Sequence, residues 1–141
     1  MSGVEIRPAT AGDLPGVLEL WRPAGSVPTV SDDLASLERL VGHGGDALLV
    51  AVLGGRVVGS LIAGWDGWRG TMYRLAVEPG LRRRGIATAL VAEGERRLAA
   101  KGAPRAGAIV LHEEVAAAGF WARYGFTLDP RVGRFVRNLP G

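Results

Sequence analysis

Residues 72–90 constrain the fold of this chain more than any other stretch, because a strand, a basic turn and a helix follow one another within it. Leu75 and Val77 belong to an apolar, alternating run that is typical of a strand, and residues 78–80 (Glu-Pro-Gly) end that strand. Three arginines come next, and Gly85 opens a segment with helical spacing. A strand that passes through a basic turn directly into a helix points unpaired backbone N–H groups and the positive end of the helix dipole at one place. The stretch therefore predicts an anion site, of which phosphate is the usual occupant.

The spacing within this turn indicates which kind of phosphate site to expect. Neither GxGxxG nor GxxxxGK follows a strand here, so the sequence has no dinucleotide fingerprint and no Walker P-loop. The residues present instead are Arg82-x-x-Gly85-x-Ala87, with Thr88 next. This pattern, placed between a strand and an amphipathic helix, resembles the acetyl-coenzyme A signature of the GNAT-type N-acetyltransferases. The resemblance covers nearly the whole chain and is firmest over residues 47–128.

The order of the predicted elements indicates a mixed fold of the α/β (α+β) class. A strand with Val4 and Ile6 precedes a helix from about residue 11 to residue 22, which Thr10 and Asp13 begin as a capping box. The complete order is β α α β β β α β α β, with a loop at residues 25–30. The resemblance implies a GNAT-like, mostly antiparallel sheet of about six or seven strands, splayed between strands four and five and flanked by about four helices. A single domain over residues 1–141 is expected. The closing strands are predicted around Phe126, Leu128, Val132, Phe135 and Val136.

Composition argues against several other classes of protein. The chain has no cysteine, so neither a disulfide framework nor a thiolate metal site is available, and no metal is expected. The N-terminus has no charged-then-apolar signal pattern, and no apolar run approaches the roughly 20 residues of a membrane span, which predicts a cytoplasmic protein with no membrane partner. The net charge of +3 comes almost entirely from scattered arginines that aromatic residues do not interleave. This distribution favours a local anion site over a nucleic-acid surface.

The resemblance implies acetyl-coenzyme A as the co-substrate, and the residues of the turn suit that ligand. We expect the backbone N–H groups of residues 83–88 to hold its diphosphate, with Gly85 allowing a close approach and arginine side chains adding charge-assisted hydrogen bonds. We expect its amide-bearing arm to pair with the edge of the strand that precedes the turn. A bulge near Ala76 and Val77 would direct one N–H toward the thioester carbonyl, which gives Val77 a catalytic role. The predicted cofactor-binding residues are Leu75, Ala76, Val77, Arg82, Arg83, Arg84, Gly85, Ile86, Ala87, Thr88 and Trp121.

Transfer to an amine also needs a group that takes a proton from the acceptor. A lysine-like amine has a pKa near 10.4, so only about one molecule in a thousand is neutral at pH 7. A carboxylate or a histidine, acting directly or through water, would raise the supply of the neutral amine. The candidates are Glu78, His112, Glu113, Glu114 and Asp66.

The segment near the C-terminus departs from the family pattern at the position of the usual general acid. Trp121 takes the place of the family's tyrosine, and Glu114 takes the place of an asparagine seven positions earlier. An indole N–H donates a hydrogen bond but cannot give up its proton at neutral pH. Three alternatives follow: the thiolate leaves with hydrogen-bond help alone, Tyr124 supplies the proton, or the site binds acyl-coenzyme A without efficient catalysis. Tyr124 is equally explained as a core residue.

The acceptor is the part of the reaction for which the sequence gives the fewest signals. Trp65 and Trp68 lie in a glycine-rich loop, where they either cap the sheet or bind the acceptor substrate. The leading hypothesis is transfer of an acetyl or other acyl group to a primary amine of a small molecule or a protein, by direct attack in a ternary complex. The alternative is a catalytically weak acyl-coenzyme A sensor or interaction domain. A monomer and a homodimer are both compatible with the sequence.

Overall fold

A computed structural model describes residues 3–22, 31–112 and 114–140 of the chain. The expected loop at residues 25–30 and the candidate base Glu113 lie outside the described residues. Among the described residues, no helix combines the length and the apolar character needed to cross a membrane. The strands and helices are β1 (Val4–Pro8), α1 (Leu14–Trp21), α2 (Leu34–Gly42), β2 (Leu48–Leu53), β3 (Arg56–Trp65), β4 (Gly70–Val77), α3 (Ile86–Ala100), β5 (Ala106–Ala108) and α4 (Val115–Tyr124).

The strands form one mixed sheet, which confirms the predicted fold class. They lie side by side in chain order, β1 to β5, and the first three pairings are antiparallel. Only β4 and β5 run parallel, because α3 carries the chain back along the sheet between them. The expected splay between strands four and five corresponds to this short parallel pairing, which joins Gly70–Met72 to Ala106–Ala108 alone.

The sheet has five strands in the described part of the chain, where the sequence predicts about six or seven. The expected closing strands are the difference, because residues 125–140 contain no strand. Phe126 packs against the core, but the apolar side chains that follow it lie in solvent and form no sheet face. The exposed fractions are 79% for Leu128, 72% for Val132, 74% for Val136 and 100% for Phe135.

Helices cover both faces of the sheet, and each face has its own apolar core. α3 and α4 pack on one face, where Leu61, Met72 and Leu90 are fully buried. α1 and α2 pack on the other face, where Leu14 and Val50 are fully buried. Successive residues of β2 alternate between the two cores, as the pleat of a strand requires.

The first helical segment begins with the capping box that the sequence predicts. Thr10 precedes a single 3₁₀ turn, Ala11–Asp13, that leads into α1, and the Asp13 carboxylate accepts hydrogen bonds from the Thr10 backbone N–H at 2.8 Å. The Arg7 guanidinium on β1 donates to the same carboxylate at 2.7 Å and, together with the Thr10 hydrogen bonds, lowers the pKa of Asp13 to about 2. The contact fixes the first helix to the edge strand of the sheet.

Candidate functional site

The turn between β4 and α3 has the backbone conformation of an anion site. Arg83 and Gly85 both have left-handed backbones, with φ of +67° and +81°, and Arg84 between them does not. Such alternation brings successive backbone N–H groups together in a concave turn. Within the described part of the chain, the N–H groups of residues 83–85 donate none of the backbone hydrogen bonds that lie outside helices and strands.

The first turn of α3 adds further donors at the same place. The Ala89 N–H donates to the Gly85 carbonyl at 3.0 Å and makes the first hydrogen bond of the helix. The N–H groups of Ile86, Ala87 and Thr88 therefore belong to the set that a helix leaves without an internal partner. The Ile86 side chain is 2% exposed and packs in the core, so this residue offers the site its backbone alone.

The three arginines surround the turn with positive charge. All three are exposed, and the Arg82 Nε donates to the Val77 carbonyl at 3.4 Å, which folds this side chain back along β4. Glu78, at the start of the turn, pairs with Arg56 on β3. The carboxylate of Glu78 is thereby held on β3, and the side chain does not line the cavity described below.

A β-bulge interrupts β4 and lies at a different place from the one predicted. Arg74 and Leu75 together face Leu61 on β3, so one extra residue is inserted in β4. Arg74 adopts a left-handed backbone with φ of +58°, which is costly for any residue that carries a side chain. The sequence-based position of the bulge near Ala76 and Val77 is therefore wrong by two residues.

The backbone of Val77 nevertheless faces away from β3, as the proposed catalytic role requires. The Glu78 N–H donates to the Val58 carbonyl at 2.9 Å, so residues 58 and 78 form a hydrogen-bonded pair. Hydrogen-bonded and non-hydrogen-bonded pairs alternate along an antiparallel ladder, which makes Val77 and Gly59 a non-hydrogen-bonded pair. The N–H of Val77 points to the outer edge of β4, while the Ala76 side chain is buried in the core beneath α1 and α2.

A cavity of about 450 Å³ opens where β4 and β5 diverge. Leu75 lies on its β4 wall, and Val110 and Leu111 lie on the opposite wall, beyond the end of β5. α4 contributes Glu114 and Trp121 to the lining. The structure thus brings three of the predicted site residues, Leu75, Glu114 and Trp121, to one cavity.

A polar network connects Arg74 at the bulge with Ser60, Trp21 and Asp32. The Trp21 Nε1–H donates to the Ser60 Oγ at 2.8 Å, and the Ser60 hydroxyl donates to the Arg74 carbonyl at 2.8 Å. The Arg74 guanidinium lies 4.9 Å from the centre of the Trp21 ring and pairs with Asp32. Ser60 is fully buried, so these hydrogen bonds hold the bulge in a place that water does not reach.

Sequence reasoning missed this network. Of the two neighbouring aspartates, only Asp33 caps α2, where its carboxylate accepts a hydrogen bond from the Ser36 N–H at 2.7 Å. Asp32 turns into the cavity instead. The one signal available in the sequence is Arg74 itself, a charged residue inside an otherwise apolar strand.

On α4, the structure separates the roles of Trp121 and Tyr124. Trp121 is 5% exposed and packs edge-on to Phe126 with ring centres 4.8 Å apart. Its indole N–H has no partner among the described residues and is not an enclosed, unsatisfied donor. The Tyr124 hydroxyl donates to Glu95 on α3 at 2.8 Å, and burial together with that carboxylate raises the pKa of Tyr124 to about 12. Tyr124 also lies outside the cavity lining, which argues against its predicted role as general acid.

The remaining candidates lie away from the cavity. His112 is exposed and does not line it. Asp66 accepts hydrogen bonds from the Trp68 and Arg69 N–H groups, at 2.8 and 2.7 Å, and so stabilises its own turn. Trp65 lines a second cavity of about 570 Å³, and Trp68 is 69% exposed beneath the Arg69 guanidinium. Neither tryptophan therefore lines the cavity at the bulge, which argues against the alternative that they bind the acceptor there.

Comparison with known proteins gives one consistent result. Residues 14–126 match the model of the acetyltransferase (GNAT) family. An acetyltransferase of Pectobacterium atrosepticum is 36% identical over 127 residues, which cover 89% of this chain and 90% of that protein.

Two solved structures extend the comparison to the fold. Ard1 from Thermoplasma volcanium aligns with a TM-score of 0.80 at 19% identity and covers 90% of this chain and 84% of its own. The PaiA N-acetyltransferase from Thermoplasma acidophilum, in complex with coenzyme A, aligns with a TM-score of 0.77 at 18% identity and covers 92% of each chain. At these identities the likeness concerns the fold alone.

Proposed function

Because this chain belongs to the GNAT family of acetyltransferases, we propose that it transfers an acetyl group from acetyl-coenzyme A to a primary amine by direct attack. The observation that carries the proposal is the left-handed turn at Arg83 and Gly85, which directs the first N–H groups of α3 toward one point. The outward edge of β4 adjoins that turn and leads to the cavity at the bulge. The coenzyme A bound to the related PaiA fold supports the choice of ligand.

The residues present fit a coenzyme A molecule in two independent ways. Its diphosphate needs several N–H donors and positive charge, which residues 83–88 and the exposed arginines of the turn offer. Its extended arm carries amides that can pair with a strand edge, and the Val77 N–H lies on that edge beside the Val77 carbonyl, which accepts from the Arg82 Nε. The arm would then run from the turn toward Leu75 and the cavity.

The transfer itself forms one bond and breaks another. The amine nitrogen bonds to the acetyl carbonyl carbon, the carbon–sulfur bond breaks with its electron pair on sulfur, and the amine loses a proton. Among the predicted general bases that the structure describes, Glu114 alone lies on the cavity. We therefore propose that Glu114 accepts that proton, directly or through water. The outward N–H of Val77 would donate to the carbonyl oxygen as negative charge develops there.

Trp121 is expected to stabilise the departing thiolate as a hydrogen-bond donor and not as an acid. Replacing it with phenylalanine should lower kcat about tenfold, because a hydrogen bond to a charged group contributes about 1.5 kcal/mol or more. Replacing it with tyrosine should preserve kcat, since the phenol hydroxyl restores a hydrogen-bond donor on an aromatic side chain. Steady-state kinetics on both variants, with thermal unfolding as the check on folding, separate the polar group from the packing. Equal kcat values for the two variants would contradict this role.

The function itself is tested with the unmodified protein. Titration calorimetry should show acetyl-coenzyme A binding, and a panel of amino acids, polyamines, aminoglycosides and peptides should include at least one that releases the free thiol. Binding of acetyl-coenzyme A with no thiol release from any amine would favour the acyl-coenzyme A sensor. Absence of binding would reject both.

A further inference from the structure

The acceptor side of the cavity contains an ion pair that the reaction as described does not use. Arg74 and Asp32 pair directly on its wall, and each side chain is only 13% exposed. An ion pair so far removed from water contributes little net stability, because the loss of hydration offsets the attraction between the charges. A gain in stability is therefore a weak explanation for its presence on a cavity wall.

The position of Arg74 on the cavity wall also requires a strained backbone. Its left-handed conformation is unfavourable for a residue that carries a side chain. The bulge puts Tyr73 and Arg74, which are consecutive in the chain, on the same cavity, where an uninterrupted strand would send them to opposite faces. Ser60 and Trp21 then hold the carbonyl and the guanidinium of Arg74 in position. Strain supported by so many neighbours is typical of functional sites.

Among the described residues, the charges that line the cavity are balanced. Asp32 and Glu114 carry negative charge, and Arg74 and Arg134 carry positive charge. A site for a polycation would be expected to carry an excess of carboxylates, since every additional ammonium group needs a counter-charge once it leaves water. Equal numbers of the two signs instead complement a ligand that has both. The volume of about 450 Å³ is near the lower end of the usual range for ligand cavities, about 300–1,000 Å³, and it must also admit the thioester end of the co-substrate.

We propose that the acceptor is a small zwitterion of the amino acid type, whose carboxylate binds Arg74 and whose amino group donates to Asp32. This inference rests on the acetyl transfer proposed above and narrows its acceptor. A guanidinium matches a carboxylate through two parallel hydrogen bonds, which makes Arg74 the natural contact for the acid group. Asp32 orients the amino group toward Leu75 and the thioester, and Glu114 on the facing wall receives the proton.

The test compares amino acids with the amines formed by removing their carboxyl groups. Suitable pairs are lysine with cadaverine, histidine with histamine and phenylalanine with phenethylamine, with spermidine as the polycation. For at least one pair, kcat/KM of the amino acid should exceed that of its amine at least tenfold, and spermidine should not be preferred. In Arg74→Gln this preference should fall at least tenfold through the KM of the acceptor. In Asp32→Asn the KM of the amino acid and that of its amine should rise together, and in both variants the KM of acetyl-coenzyme A should change less than twofold.

Matched controls keep the result independent of folding and of the proposed function. Asp33→Asn changes the neighbouring aspartate but keeps a good helix cap, and it should retain the preference of the original protein. If Arg74→Gln fails to fold, the preference of the unmodified protein and the joint rise of both KM values in Asp32→Asn decide. The same pairs are also titrated into the protein saturated with coenzyme A, so that selective binding is measured without turnover. Preference for the amines or spermidine, or no selective binding of any amino acid, overturns the zwitterion assignment, whereas failure to bind acetyl-coenzyme A overturns the function on which it rests.

Discussion

Replacing Gly85 with valine is expected to weaken acetyl-coenzyme A binding at least tenfold. Gly85 has φ of +81°, a conformation that a β-branched residue adopts only with strain of about 1–3 kcal/mol. If the valine relaxes to an ordinary backbone, the N–H groups of the turn no longer converge. If it keeps the left-handed conformation, its methyl groups stand where a phosphate must approach. Titration calorimetry with acetyl-coenzyme A measures the loss directly.

Gly80→Val is the matched control for this experiment. Gly80 lies in the same connection between β4 and α3, but its φ is not positive and an added Cβ meets no atom within 4 Å. We expect it to bind acetyl-coenzyme A with nearly the original affinity. Unchanged affinity in a folded Gly85→Val protein would remove the basis for placing the diphosphate at this turn.

Replacing Gly94 with leucine is expected to destabilise the fold by about 2 kcal/mol. A Cβ on Gly94 would lie 2.9 Å from Leu61 Cδ2 and 3.2 Å from Met72 Sδ, both in the core beneath α3. Overpacking of this kind costs about 3 kcal/mol, and the better helix propensity of leucine returns about 1 kcal/mol. Denaturant unfolding should show a lower midpoint with an unchanged slope.

Gly119→Leu separates packing from helix propensity. Gly119 also lies inside a helix, α4, but an added Cβ meets only the end of the Arg123 side chain, at 3.1 Å. This flexible side chain can move, so we expect Gly119→Leu to be neutral or to stabilise the fold by up to about 1 kcal/mol. Equal stability changes in the two variants would show that α3 does not approach the sheet as closely as the structure indicates.

The course of the chain through the turn at residues 78–85 follows from local sequence. Glu78-Pro79-Gly80 ends a strand, Gly85 supplies a left-handed residue, and both effects act within a few residues of their cause. The same holds for the capping box of Thr10 and Asp13. Elements of this kind are predictable because each depends on its own side chains and backbone and not on distant partners.

Position 94 shows how the information in the sequence differs from that in the tertiary structure. In the sequence, Gly94 indicates only a lower helix propensity within α3. The structure shows that Leu61 and Met72 leave no room for a side chain there. Tyr124 is similar, because its spacing on α4 allows a role in proton transfer, and its hydrogen bond to Glu95 on another helix argues against that role. The expected closing strands have suitable residues, but in the described chain they have no strand to pair with.

The sequence by itself determined the fold class, the order of its elements from β1 to α4 and the turn that carries the proposed anion site, because these depend on patterns within one segment. Only the tertiary structure decided the proposed acceptor wall, where Ser60 of β3, Arg74 of β4 and Asp32, which precedes α2, come together. The bulge that brings Arg74 to this wall leaves no periodic signal, since a single extra residue shifts the register of β4. A contact between side chains 42 residues apart is set by how the sheet and helices pack, and that information belongs to the whole fold and to no single segment.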